Sequence, residues 1–420
     1  MTTAVSSPIR DQRIEGPQTI DDVEAELKLL YQSQSSRLLL PVNLQKAYVG
    51  GQAALIQLIV TWARRNQKPV LLTHAATPDD ANQQLDTLAG RPFGFVALAL
   101  AEDVVPRTVE ASFRSLAKSK VDDEIRKIWL GPDGNRRPTR QSPLFGVDEV
   151  PGIPGHGSRV FIATVDGHPK ESIPQCYFSN GTLRQRDDFV AIAKMSIIRA
   201  AKLRRDTPVS PDLYDEVGAI FHELFKNTDE WAVRDIDGMR FRRSVRGLIF
   251  EHHSLPNEAS LLDACGKNGP MVEFIARLSK ESNDRVRFLE ISVFDSGCGL
   301  AKRWLHEKSP DINLDDINLN LSVEFNACLE CLRRHRTTSQ AIHKGIGLDE
   351  VLTTLAKLRA FLRIRTGRLS LYRDFLTSPA NESGESTDSE LFDWRTQTKE
   401  LTEFPRAEGV LYTMLIPISF

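Results

Sequence analysis

Apolar side chains recur at a helical period across residues 210–232 (SPDLYDEVGAIFHELFKNTDEWA), where Leu213, Val217, Ile220, Phe221, Leu224, Thr228 and Trp231 fall on one broad face. Ser210 is placed to cap this helix, and Pro211 suits its first turn. So wide an apolar face calls for a sheet to lie on. Beside it Glu223, Asn227 and Glu230 line up along one edge, because residues four and seven apart share a helix side. A polar line there suits a solvated edge as well as the rim of a site, and the helix alone leaves both open.

The rest of the chain alternates helix-period and strand-type segments. Residues 1–20 are polar and read as loose, and 20–32 as a short amphipathic helix behind a Thr19 cap. Residues 37–42 are a short apolar run, 51–66 (GQAALIQLIVTWARRN) a strongly apolar helix, and 69–73 (PVLLT) a buried-type strand. A helix at 79–88 and a further strand or buried run at 93–100 (FGFVALAL) follow. This rhythm predicts a small α/β domain over 36–130, behind a tail and short helix at 1–35. It holds no phosphate loop and no acid, base or nucleophile constellation, so it reads as an interaction or sensor domain; its rhythm resembles the STAS-like domains of anti-sigma-factor systems. Residues 131–158 (GPDGNRRPTRQSPLFGVDEVPGIPGHGS) are dense in proline and glycine and predict a linker. Beyond it, 159–166 and 175–184 read as a hairpin turning at Asn180 and Gly181, and 191–205 as a helix. Residues 361–366, 369–373 and 409–418 (GVLYTMLIPI) supply antiparallel strands.

Composition excludes some classes. The chain has 420 residues, 41% hydrophobic and 26% charged, the profile of a soluble globular protein. A net charge of -2 argues against a surface built throughout to grip nucleic acid or anionic membrane. The five cysteines are odd in number and scattered, which suits a reducing cytoplasm. Cys328 and Cys331 share a helical apolar series with Leu321, Phe325, Leu329 and Leu332 and read as packing positions. The N-terminus lacks a signal-type apolar core, and no run of about eighteen apolar residues occurs, which predicts a cytoplasmic protein with no membrane partner.

Two glycine stretches answer the polar edge of the helix. Residues 286–299 (VRFLEISVFDSGCG) form an apolar strand that stops at Asp295 and breaks into Gly297 and Gly299. A carboxylate fixed at a strand end is a good acceptor for an exocyclic amine, and the glycines let backbone pass under a flat ring. Residues 344–348 (KGIGL) open a helix running from 349 to 360, and their N–H groups, with Lys344 and His343, suit phosphate oxygens. Each signal alone also fits a plain turn. The long segment between Gly299 and Lys344, with a helix at 321–336 and the basic RRHRTTS, predicts a lid. Acidic, serine-rich 377–402 predicts a mobile surface insertion, and Arg234, Arg240, Arg242, Arg243 and Arg246 a solvated basic surface, with nucleic-acid contact the less favoured use.

In order, HELFKNTDEWA, FDSGCG, KGIGL and GVLYTMLIP resemble the nucleotide motifs of the GHKL ATPases, which include DNA gyrase, mismatch-repair ATPases, heat-shock chaperones and histidine kinases. The resemblance covers residues 210–420. It implies, over 159–420, a Bergerat-type two-layer α/β sandwich with a mixed, largely antiparallel sheet and helices on one face, preceded by the smaller α/β domain. It implies ATP and Mg2+ as ligands, with Glu223 as general base, Lys344 assisting, Asn227 as the magnesium ligand, and Glu230 where the family usually has Asp. Asp295 falls on the adenine-reading carboxylate, Gly297 and Gly299 on its turn, and Gly345, Ile346, Gly347 and Leu348 on the phosphate-side lid. Val410 departs from the Thr that the family has after the glycine matching Gly409.

The function expected from these residues is an ATP-hydrolysing switch that couples nucleotide binding and lid closure to the N-terminal domain, a protein partner or a homodimer. A protein kinase of the anti-sigma serine or histidine-kinase-like type is the alternative, although no H-E-x-x-[TN]-P box precedes the ATP motifs. A nucleotide-binding regulator with little turnover is the third. Glu223 favours hydrolysis, which needs a base to activate water.

Overall fold

A computed structural model describes residues 10–16, 18–32, 36–42, 48–75, 77–107, 111–130, 159–166, 176, 182–202, 209–256, 258–266, 269–281, 285–309, 311, 320–332, 347–377 and 391–418. Four short strands, β1 (Arg10–Arg13), β2 (Ser36–Leu39), β3 (Val70–Thr73) and β4 (Asp103–Pro106), pair in parallel in chain order. Parallel neighbours need crossovers. These are α1 (Ile20–Tyr31), α2 (Gly51–Arg65), and the pair α3 (Pro78–Ala89) and α4 (Pro92–Leu100), with α5 (Arg114–Leu130) after β4. Thr19 caps α1 reciprocally: its N–H donates to Asp22 Oδ2 at 2.9 Å, and the Asp22 N–H donates to Thr19 Oγ1 at 3.1 Å.

Two expectations for this half are corrected. Residues 10–13, read as loose, form β1, because β2 offers an edge to pair with and Arg37 Nε donates to Asp11 Oδ1 across it at 2.7 Å. The run 93–100, read as a strand or buried segment, is helix α4, buried along its whole length. With no polar position to set a period, an apolar run cannot show which of the two it is.

The second sheet has seven strands: β5 (Arg159–Val165), β6 (Val245–Leu255), β7 (Val286–Asp295), β8 (Phe361–Gly367), β9 (Leu369–Asp374), β10 (Phe392–Asp393) and β11 (Ala407–Pro417). Their order is β10-β9-β8-β11-β7-β6-β5, and every neighbouring pair is antiparallel, where a mixed, largely antiparallel sheet was expected. Seven helices accompany it: α6 (Arg186–Ala200), α7 (Pro211–Trp231), α8 (Glu258–Cys265), α9 (Gly269–Glu281), α10 (Leu300–Lys308), α11 (Leu321–Leu332) and α12 (Gly347–Lys357). Helix α6 starts earlier than the expected 191, at Arg186, where the Gln185 N–H donates to Asp188 Oδ2. Ser210 stands at the N-cap of α7 but makes no side-chain cap hydrogen bond. Gly347 and Leu348 belong to the first turn of α12, not to a loop before it. The linker 131–158, the turn at Asn180 and Gly181, and residues 333–336 lie outside the described residues. Of the insertion expected to be mobile, residues 391–402 are held in place: Leu391 and Trp394 are buried, and Asp393 accepts from the N–H groups of Arg395, Thr396 and Thr402.

Strand alternation gives the sheet two apolar faces. Leu289, Ile291 and Val293 of β7 share a core with Val217, Phe221 and Leu224 of α7, where Phe221 meets Phe250 edge-on at 4.5 Å. Phe288 and Phe294 point the other way, into a core shared with Leu55, Ile59 and Trp62 of α2 and with Phe274 of α9. The expectation of helices on one face is therefore corrected. Strands apolar on both sides need cover on both sides, and α9 together with the first 130 residues supplies the second layer. Each fully buried Leu or Phe contributes about 1.5–3 kcal/mol through its removal from water. Among the described residues, no helix is long and apolar enough to cross a membrane.

Candidate functional site

Two of the predicted glycines lie against the α7 region. Gly347 lies against Glu223, since a Cβ at 347 would stand 2.3 Å from Glu223 Oε2. Gly297 lies against the helix end, where its Cβ would stand 2.7 Å from Ala232 Cα. Nine residues separate these contacts, roughly 13 Å along the helix axis at its usual rise. Lys344, Gly345, Ile346 and His343 lie outside the described residues.

At the first contact, Glu223 is mostly covered, its Oε1 2.9 Å from His222 Nδ1 and its Oε2 3.8 Å from Lys226 Nζ. Burial pulls its carboxyl upward, but the hydrogen bond from His222 and the Lys226 charge outweigh that and hold it below the usual carboxylate value. Asn227 and Glu230 are half-buried further along the same edge. Leu348 is partly buried and packs against the core that α7 shares.

At the second contact, Asp295 ends β7 nearly buried, and its Oδ1 accepts from the Gly297 N–H at 2.8 Å and the Val410 N–H at 3.3 Å. Burial pushes its carboxyl up to about 6, against the pull of those two hydrogen bonds and of Arg246 and Arg64. Val410 thus serves through its backbone, while its side chain is core. Gly299 and Gly409 have φ of 86° and 74°, in the left-handed region that glycine tolerates. A Cβ at Gly409 would also stand 2.1 Å from the Asp295 carbonyl oxygen. Thr366 Oγ1 accepts from the Leu300 N–H at 3.2 Å and so ties β8 to the start of α10.

Sequence reasoning missed Ser296 and Arg64. Arg64, in the last turn of α2, donates Nε to the Ser296 carbonyl at 2.7 Å and Nη2 to its hydroxyl at 3.1 Å, while the Val245 N–H donates to that hydroxyl at 2.8 Å. Ser296 sits visibly between Asp295 and Gly297, but nothing local marks a partner 232 residues earlier. The basic cluster, expected as solvated surface, divides: Arg234, Arg240 and Arg242 are exposed, whereas Arg246 is not. Arg246 is buried beside Asp295, its cross-strand neighbour, and pairs with Asp166 at 2.5 Å and Asp229 of α7 at 2.8 Å. Arg242 and Arg243 both pair with Glu102 at the end of α4.

Among the described residues, one group has metal-ligand chemistry, Glu251, His253 and Glu290, whose ligand atoms lie within 4.8 Å of one another. Its atoms already have partners: Arg159 holds Glu251, the Gly50 N–H donates to Glu290 Oε1 at 2.9 Å, and His253 Nε2 is 2.9 Å from Glu290 Oε2. It pins α2 to β7. In comparisons with family models, curated proteins and solved structures, none matches this chain.

Proposed function

We propose that the polar edge of α7 binds ATP with Mg2+ and hydrolyses the nucleotide, and that the chain works as an ATP-driven conformational switch. The observation that carries this reading is the approach to one helix of two segments far apart in sequence, with Gly347 against Glu223 and Gly297 against Ala232. Glycine at both contacts lets the backbone come closer to α7 than a side chain would allow. The side chain of Asn227, half-buried one turn beyond Glu223, makes no hydrogen bond among the described residues, so its amide oxygen suits a hard cation that prefers oxygen. Mg2+ held there would compensate phosphate charge. Glu223, kept ionised by His222 and Lys226, is suited to hold and polarise a water. Asp295 spends Oδ1 on its own turn, which leaves Oδ2 to accept an adenine amine. Arg64 supports the switch, because it bonds α2 to the residue between Asp295 and Gly297.

The test of recognition is equilibrium binding of ATP and GTP to the parent and to Asp295→Asn. ATP binds the parent and GTP binds poorly, since its carbonyl would face the carboxylate. The substitution weakens ATP by about ten- to a hundredfold, the worth of a charge-assisted hydrogen bond. Equal affinity for the two nucleotides, or an unaffected variant, removes Asp295 from this role.

A further inference from the structure

Away from α7, where the first 130 residues meet the β5–β6 edge of the large sheet, lies an open cleft of about 180 Å³. Its floor is apolar: Leu98 and Ala99 of α4, Val104 of β4, and Ala117 and Val121 of α5 are all buried. Its rim is cationic. Glu102 is shared by three arginines, with Arg114 at 3.1 Å, Arg242 at 3.1 Å and Arg243 at 3.3 Å. One carboxylate cannot neutralise three guanidinium groups, and Lys118 adds a further charge to the rim. Among the described residues, Glu102 is the only carboxylate within ion-pair distance of these arginines. Burial pulls the Arg243 guanidinium down, Glu102 opposes that, and Arg114 and Arg242 push it further down, as expected of crowded like charges. The acidic wall residue, Asp166, is already taken by Arg246 and the Ser244 hydroxyl.

We propose that this cleft binds a small organic acid, its carboxylate on Arg114, Arg242 and Arg243 and its apolar body on the floor formed by α4, β4 and α5. A clasp between the two halves would be served by one arginine on Glu102; three leave net positive charge at the rim. Arginine forks match a carboxylate in geometry as well as charge. The volume exceeds the roughly 150 Å³ that accommodates benzene in an apolar cavity, so a six-carbon body fits. The anionic end is directed to the side of the rim where Arg114, Arg242 and Arg243 lie. The proposal is independent of the nucleotide reading.

Calorimetric titration of the full chain with hexanoate, hexylamine and acetate tests it. Hexanoate binds at one saturable site, hexylamine does not bind there, and acetate binds at least tenfold more weakly because it has no body to bury. The Arg242→Glu variant alters an exposed side chain, 74% accessible, and so leaves the fold intact while weakening hexanoate about tenfold or more. Lys118→Glu, also at an exposed position, weakens it in the same direction. No hexanoate binding, equal binding of hexylamine, or hexanoate affinity unchanged in both variants overturns the assignment.

Discussion

The two faces of the seven-stranded sheet are made by the same strands but are completed differently. The α7 face is covered by helices close in sequence to the strands they meet, its centre is apolar, and its buried charges lie toward strand ends, where Arg246 pairs with Asp166 and with Asp229 of α7 and Arg368 pairs with Glu324 of α11. The other face buries charge. Glu24 of α1 accepts from Arg365 Nε at 2.8 Å and Arg363 Nη2 at 3.1 Å, and all three residues are almost fully covered. Gln57 of α2 donates to the Arg365 carbonyl at 2.8 Å, and Gly50 donates to Glu290. Polar positions alternating along a strand usually signal a solvated face. Here they signal a partner layer that arrives from more than 300 residues away. An apolar interface alone would bind the two layers without fixing their register, whereas paired buried charges match in only one.

The contrast predicts unequal responses to breaking ion pairs on the two sides. Glu24→Ala strands two buried guanidinium groups and costs about 3–5 kcal/mol of unfolding free energy in urea titration. A loss below about 1 kcal/mol would mean that the charges on that face are relieved in some other way. Next in size is Asp295. Its folded value is raised from 3.8 to about 6, so its favourable contribution is complete below 3.8 and is lost as pH rises through about 6. Asp295→Asn keeps an acceptor for Gly297 and Val410 without the buried charge. Its advantage over the parent grows across that window toward roughly 3 kcal/mol at most, read as unfolding midpoints at several pH values. A gap that does not change with pH would contradict a buried, ionised carboxylate at the strand end. Weakened nucleotide binding in the same, more stable variant separates recognition from folding. Smallest is the exposed pair Arg186–Glu350 near α7, 2.7 Å apart, where Glu350→Ala changes stability by less than about 1 kcal/mol.

Legibility in the sequence follows the same division. The α7 stripe, the break after Asp295 and the antiparallel closing strands were readable because each is a local pattern of period or turn chemistry. The buried stripe of Val217, Ile220, Phe221 and Leu224 is the one expected. What could not be read was long-range. Arg363 and Arg365 look solvated until Glu24 is placed beside them, and Arg246 looked like basic surface until Asp166 and Asp229 flanked it. The strand β1 and the helical state of α4 were missed for the complementary reason, a polar segment ordered by its neighbour and an apolar one without a period. The polar edge of α7 was legible as a line of residues; its contact with Gly347 depends on the packing of α12, which no spacing encodes.

The most direct test of the central claim, that the α7 edge hydrolyses ATP, is to measure nucleotide affinity and phosphate release side by side for the parent and Glu223→Ala with Mg2+ present. The account predicts that the parent turns over ATP and that the variant keeps its affinity while losing about a hundred- to ten-thousandfold in turnover, the usual worth of a general base. A variant that releases phosphate at the parent rate, or a parent that does not bind ATP, would contradict it.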